Sequence, residues 1–408
     1  MLDNDSSSTS NKTSLWQNHD YLRLWFGQTI SAFGSQVSRI VLPLLILDLT
    51  HSPAQAGFVG AFSVVPYVVL SLFVGTFIDH FDRKKIMIFC DTGRGLALGS
   101  MFIAILLHSL SIIQIYIVAL LEGVLFVFFD LAEISSVKQV VGKEHVTSAT
   151  AQGSATDGMA SLVGPSVGAT LYQITGKSIP FLFDTVSYAI SVFTLFTIKT
   201  EFQKNVNEKK VNFKKDLLEG ISWLFHNRVV RFMSFINAGI SFVFADLYLV
   251  LIVLAKEQKA SPLQIGSIMS IAAIGSIVGS LLGPHIQKKM RPGIIIILFG
   301  WLQALIWVLY FFAPNFIVIG IITAVITFLS SVWAIVQISY RLSLIPDQLQ
   351  GRVNSVFRFI VYSIIPLGMV VTGIMLQTLR AKTTILLFFF ILIFFALLAS
   401  FNKELRNA

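Results

Sequence analysis

The chain has 408 residues, of which 55% are hydrophobic and only 12% charged, with a net charge of +9. An ordinary globular domain is about a quarter charged, so the composition excludes a water-soluble fold and points to a bilayer as the surrounding solvent. One cysteine, Cys90, excludes a disulfide framework within the chain, and basic residues that border apolar runs favour anionic lipid headgroups over nucleic acid as partners.

In chain order, residues 1–19 are polar and lack the apolar core of a cleaved leader, which predicts a disordered cytoplasmic tail. Apolar windows of about 20 residues then predict spans near 22–47, 54–78, 86–107, 112–134, 149–173 and 179–198, a first bundle within 20–200. The connection 201–228 is charged at first. Its Phe213, Leu217, Ile221 and Leu224 then share one helical face, away from Lys214, Lys215 and Glu219, which predicts an amphipathic helix on the inner membrane surface. Six more spans follow near 230–254, 263–285, 293–313, 315–340, 353–378 and 383–401, a second bundle within 229–402, with a short tail at 403–408. Twelve spans put both termini on one side. The basic loops around Arg83, Lys138, Lys288 and Arg341–Arg358 share that side, so the positive-inside rule makes it cytoplasmic. The expected fold class is all-α and integral to the membrane, two six-helix bundles in one multi-pass chain of the cell membrane.

The halves echo one another. Ser52, Pro53, Gln55 and Gly57 reappear at the same spacing as Ser261, Pro262, Gln264 and Gly266. Each copy is followed by a second pattern, Gly75, Asp79 and Arg83 in the first half and Gly283, Gln287 and Arg291 in the second. A duplicated membrane chain suits a transporter, whose two bundles rock around a site between them. Gly75 is expected to allow close helix approach, and Asp79 to meet a helix N-terminus or an arginine. In span five, Gly158, Gly164, Pro165, Gly168 and Ala169 predict a bend and tight packing. Pro366, Gly368 and Gly373 repeat that theme loosely in span eleven.

The loop from Gly75 to Lys85 resembles the signature loop of the major facilitator superfamily, and the Gly164-Pro165 pattern resembles that of its antiporters. Leu42-Pro43, Asp48 to Pro53, Phe129-Asp130 and Gly351 to Ser355 narrow the resemblance to the drug:proton branch, which includes macrolide-efflux proteins and siderophore exporters. It covers about residues 20–401. The resemblance implies a cytoplasmic latch built on Asp79 and Arg83 that favours the outward-facing state, with a weaker second copy because Gln287 replaces the acid. It also implies that Gly164, Pro165 and Gly168 mark an exporter.

Ionisable groups inside a membrane are costly unless paired or functional. Glu122, about ten residues into span four and without an evident local partner, is the first candidate for proton coupling. Asp130, Arg39 and Asp246 complete the candidate cavity, while Asp91 and Arg94, three apart, are expected to pair with each other. Asp157 and Asp184 lie in spans five and six. No phosphate-cradling loop is present, so ATP hydrolysis within the chain is not expected. Seven scattered histidines without ligand spacing argue against a metal site. The expected protein is thus not an enzyme and needs no cofactor beyond a proton gradient. The expected function is proton-coupled efflux of a hydrophobic small molecule, carried out by a monomer. A siderophore exporter, a proton symporter importing a metabolite, and a membrane-embedded enzyme or lipid-handling protein remain alternatives.

Overall fold

A computed structural model of the chain describes residues 15–202 and 213–406. Residues 1–14 of the expected tail, 203–212 of the expected linker and 407–408 lie outside the described residues, as do the side chains of Asp79 and of 213–215.

The first half folds as α1 (His19–Thr50), α2 (Pro53–His80), α3 (Arg83–Leu106), α4 (Ile112–Val141), α5 (Val146–Thr175) and α6 (Ile179–Thr197). After α7 (Phe213–His226), the second half follows as α8 (Arg228–Phe244), α9 (Leu247–Glu257), α10 (Pro262–Lys289), α11 (Pro292–Trp307), α12 (Leu309–Phe312), α13 (Phe316–Leu344), α14 (Gln350–Phe401) and α15 (Lys403–Arg406). Helix starts are written in the sequence. Asn18, Ser52, Asp82, Ser111, Asn227, Ser261 and Asn315 each cap a helix by accepting from a backbone N–H two or three residues on. Such caps satisfy donors that the helix leaves open.

Three departures from the expected spans have local causes. Span seven is two helices, α8 and α9, separated by a turn at Ala245-Asp246. Spans eleven and twelve share one helical assignment, α14, whose arms are divided by Arg380 in the left-handed region (φ 64°). The chain doubles back there: Gly368 of the first arm faces Phe242 and Ala245, while Phe395 of the second closes on Gly239. Third, ten segments among the described residues are long and apolar enough to cross a membrane, and α5 is not one of them. Its run of Gly, Ser, Thr and Ala lowers its hydropathy and lets neighbours come close. With α5 counted and α14 taken as two arms, twelve spans form the two bundles.

The bundles cross where α2 meets the first arm of α14 and where α5 meets α10. Here the duplicated motif shows its purpose. Ser52 and Ser261 cap α2 and α10, and Gly57 and Gly266 sit one turn in. A Cβ on Gly57 would stand 2.5 Å from the carbonyl of Met369, and one on Gly266 would stand 2.7 Å from that of Pro165. Both glycines are therefore crossing points between bundles. Within bundles, Gly164 and Gly168 of α5 press on Gln36 and Val37 of α1, as Gly368 presses on Phe242 of α8.

The helix expected on the membrane surface exists as α7, but it is seated on the protein. Leu224 is fully buried, and Leu217, Ile221 and Trp223 pack into a core shared with Val353 and Val356 of α14. Gly220 admits the α14 backbone, and Asp216 and Glu219 pair with Arg352 at 2.7 and 2.5 Å.

Candidate functional site

A buried polar network occupies the first bundle. Asp91 and Arg94 lie one turn apart on α3, facing Glu122 of α4 and Tyr188 and Ser191 of α6. Arg94 Nε donates to Glu122 Oε2 at 3.1 Å, and its guanidinium lies 4.3 Å from the Tyr188 ring centre. The Tyr188 hydroxyl stands 3.5 Å from the same carboxylate oxygen and 3.0 Å from Ser35 Oγ of α1. Ser191 Oγ donates to Asp91 Oδ2 at 2.5 Å. Gly34 makes room for α6, because a Cβ there would meet Ser187 and Asp184 side chains within 2.5 Å.

This arrangement corrects the expectation that Glu122 has no local partner. The expected Asp91–Arg94 contact is present at 3.7 Å, but the shorter bond goes to Glu122. Glu122 Oε1 and Asp91 Oδ1 are buried without a hydrogen-bond partner among the described residues. One guanidinium thus faces two carboxylates, one positive charge short of neutrality when both are ionised. Burying a charge is tolerable only when it is paired, so the site has room for a mobile positive charge. A further acid, Glu133, escaped the sequence analysis. It lies eleven residues beyond Glu122, three helical turns, on the same face of α4 and near Asp130, Asp91 and Asp157. The eleven-residue interval was the available signal. Asp130 itself is half-buried.

The seam between bundles holds the other candidates. Asp246 occupies the α8–α9 break, a place where non-helical backbone is tolerated inside a membrane only against protein or a water-filled cavity. Its carboxylate lies 3.8 Å from a Cβ built on Gly60 of α2, and it feels the charge of Arg39 on α1. The Arg39 guanidinium sits 5.4 Å from the ring centre of Tyr248 on α9. Through its contact with Tyr248, two residues beyond Asp246, Arg39 lies along the same stretch of the seam as Asp246, while Glu122 stays with Arg94. Tyr67 and Tyr362 meet edge to face across the same seam at 6.1 Å.

Contacts clasp the bundles at the end away from the termini. Lys256 pairs with Asp48, which also accepts from the Tyr172 hydroxyl at 2.6 Å. Ser52 Oγ donates to Gln377 Oε1 at 2.6 Å, the Leu263 N–H to Gln173 Oε1 at 3.1 Å, and Ser166 and Ser270 lie 2.8 Å apart.

The residues expected to form a latch divide unevenly. Arg83 is buried, and its Nη1 donates to the Ser135 carbonyl at 2.9 Å. Arg291 is exposed at the start of α11. Gly283 admits Ile335, whose Cδ1 would lie 2.7 Å from an added Cβ, and Gln287 is half-buried. At Gly75 an added Cβ meets nothing within 4 Å among the described residues. The side chain of Asp79, at the end of α2, lies outside the described residues.

The sequence profile of the Major Facilitator Superfamily matches residues 24–369. The chain is 21% identical to the multidrug efflux pump Tap of Mycobacterium tuberculosis H37Rv, over 85% of each chain. It is 22% identical to the enterobactin exporter EntS of Escherichia coli O1:K1, over 84% of this chain and 82% of that one. Among solved structures it resembles a bacterial homologue of the human lysosomal transporter Spinster in an inward-facing, unoccupied conformation, with a TM-score of 0.74 at 12% identity over 95% of this chain and 98% of that one. A bacterial ferroportin homologue matches with a TM-score of 0.72 inward-facing, at 14% identity over 94% and 100% of the two chains. Its outward-facing form matches at 0.61, at 15% identity over 95% and 99%.

Proposed function

Because this chain belongs to the major facilitator superfamily and is a multi-pass membrane transporter of small molecules, we propose that it exports a hydrophobic compound from the cytoplasm in exchange for protons. The observation that carries the coupling is the surplus of carboxylate around Arg94. A proton arriving at Glu122 would free Arg94 to favour Asp91, and such a two-position arginine lets protonation bias one conformation of the bundle over another. Export is supported by the setting of Gly164, Pro165 and Gly168, which pack α5 between α1 and the opposite bundle, and by relatives named as an efflux pump and a siderophore exporter. Tyr67, Tyr362, Tyr248 and Arg39 at the seam suit an aromatic or apolar substrate.

In this reading the termini are cytoplasmic, the clasped end faces outward, and the structure is inward-facing in a monomer that works by alternating access. No cofactor takes part; the proton gradient supplies the energy. The test is accumulation of a panel of labelled compounds in inverted vesicles under an imposed proton gradient. Uptake into inverted vesicles that collapses with a protonophore supports proton-coupled export. Gradient-independent flux, or movement in the opposite direction, overturns it.

A further inference from the structure

A groove of about 710 Å³ lies where α8 begins and α14 ends, on the side of the molecule that carries the termini. Arg228, Arg231, Phe235 and Ala238 recur at intervals of three and four residues, so they line one face of α8. The two arginines occupy its first turn, and Lys403 joins them from the end of the other wall. Deeper in, the lining turns apolar, and Phe235 meets Phe395 edge to face at 5.7 Å. From Arg228 to Ala238 the helix rises about 15 Å, enough to pass from the headgroup layer into the hydrocarbon.

The groove opens onto lipid rather than onto the transport seam. Phe390, Phe394, Leu397 and Phe401 form an exposed stripe along the second arm of α14, and Phe401 borders the groove. Its charges are not neutralised from within. Among the described residues that line it, Glu404 alone opposes the three cations, and it meets Arg228 only at 3.8 Å with the arginine 79% exposed, a pair worth little in solvent. The equivalent corner of the first bundle is closed. There Asp20 accepts from the Thr200 N–H and hydroxyl at 2.8 and 2.7 Å and from the Lys199 N–H at 3.1 Å, while Arg23 reaches the Thr197 carbonyl at 3.0 Å. The duplication thus left one corner plugged by an acid and the other open and basic.

We propose that this groove binds an anionic phospholipid of the leaflet bordering the termini, its phosphate held by Arg228, Arg231 and Lys403 and an acyl chain lying along Phe235 and Ala238. Basic pockets between transmembrane helices recognise anionic headgroups in this way. A free anion would use the cations but not the apolar wall, and a zwitterionic lipid would use the wall but leave the net positive charge uncompensated.

Native mass spectrometry of the full chain in neutral detergent tests this, with phosphatidylglycerol, phosphatidylcholine of the same acyl chains, or inorganic phosphate as probe. Phosphatidylglycerol is expected to bind with a preference of roughly tenfold or more over phosphatidylcholine, and phosphate alone not to bind. Arg231→Gln with Lys403→Gln should remove the preference. Ala238→Trp, which fills the groove and keeps every charge, should weaken binding of both lipids. Lys288→Gln with Lys289→Gln, in another basic loop, should change nothing. Should the charge variant fail to fold, Ala238→Trp decides alone. Equal binding of the two lipids, full competition by phosphate, or wild-type lipid binding by Ala238→Trp would overturn the proposal.

Discussion

Glu122 and Arg94 show what one sequence can and cannot tell about a membrane site. Depth in span four was readable, because counting residues from a span's end gives height in the bilayer. Partnership was not, because Arg94 sits 28 positions earlier on α3 and only the packing of α3 on α4 brings the two together. The pair separates two effects that mutation can test. Glu122→Gln keeps the shape and a hydrogen-bond acceptor for Arg94 but cannot titrate, so a proteoliposome assay should show a folded protein without proton-driven accumulation. Full gradient-driven transport by that variant would remove Glu122 from the coupling role. Arg94→Gln should act on stability instead. It strands Glu122 and Asp91 in the bundle, a loss of about 3–5 kcal/mol when a buried pair loses one member, visible as a lower Tm in detergent. Unchanged stability would mean that the acids are neutral without Arg94.

The helices themselves were largely legible, since apolar run length and the Ser-Pro, Asn and Asp caps mark their ends in the chain. The breaks were less so. Ala245-Asp246 interrupts an apolar run with no proline or glycine to announce it, and α7 finds its partner through Gly220 and Arg352, which are remote in sequence. The clasp at the far end was also hidden, because Asp48 and Lys256 belong to different bundles. Both side chains are about a third exposed, so their pair is worth no more than about 1 kcal/mol. Lys256→Gln should therefore shift the balance between closed and open far ends by about fivefold. Spin labels at His51 and Lys259, read by pulsed electron resonance, would register it as a larger long-distance population. An unaltered distance distribution would leave the seam to its glycines. At those, Gly266→Leu should cost more than Lys256→Gln, because its side chain would have to displace the backbone at Pro165.

For the whole molecule, the duplication is symmetric in its joints and asymmetric in its charges. The crossing glycines recur in both halves, whereas Asp91, Glu122, Asp130, Glu133, Asp157 and Asp184 all belong to the first. The residues expected to form the latch follow the same asymmetry: Arg83 is buried and Arg291 exposed. If Asp79 stabilises the outward-facing state, Asp79→Asn should enlarge the inward-facing population, seen as longer distances between labels on the loops at the end bearing the termini, and Gln287→Ala should do so less. Equal effects of the two would assign the loop to topology alone.

The two crossings also set a mechanical scale. Gly57 and Gly266 are fulcrums close to one end of their helices, so each bundle is a lever with very unequal arms. The short arm of α2 from Gly57 to Ser52 spans about 8 Å, and the long arm to His80 about 35 Å. A tilt of one degree about such a fulcrum moves the far tip of α2 by about 0.6 Å and the near tip by a quarter of that or less. The clasp near the fulcrum must therefore resist with force, over a small displacement, what the distant loop resists with travel. A ligand that wedges the long arms apart by a few ångströms moves the short ones by less than an ångström and presses them together with correspondingly greater force, while the free energy that holds the clasp shut is still the ligand's preference for that state.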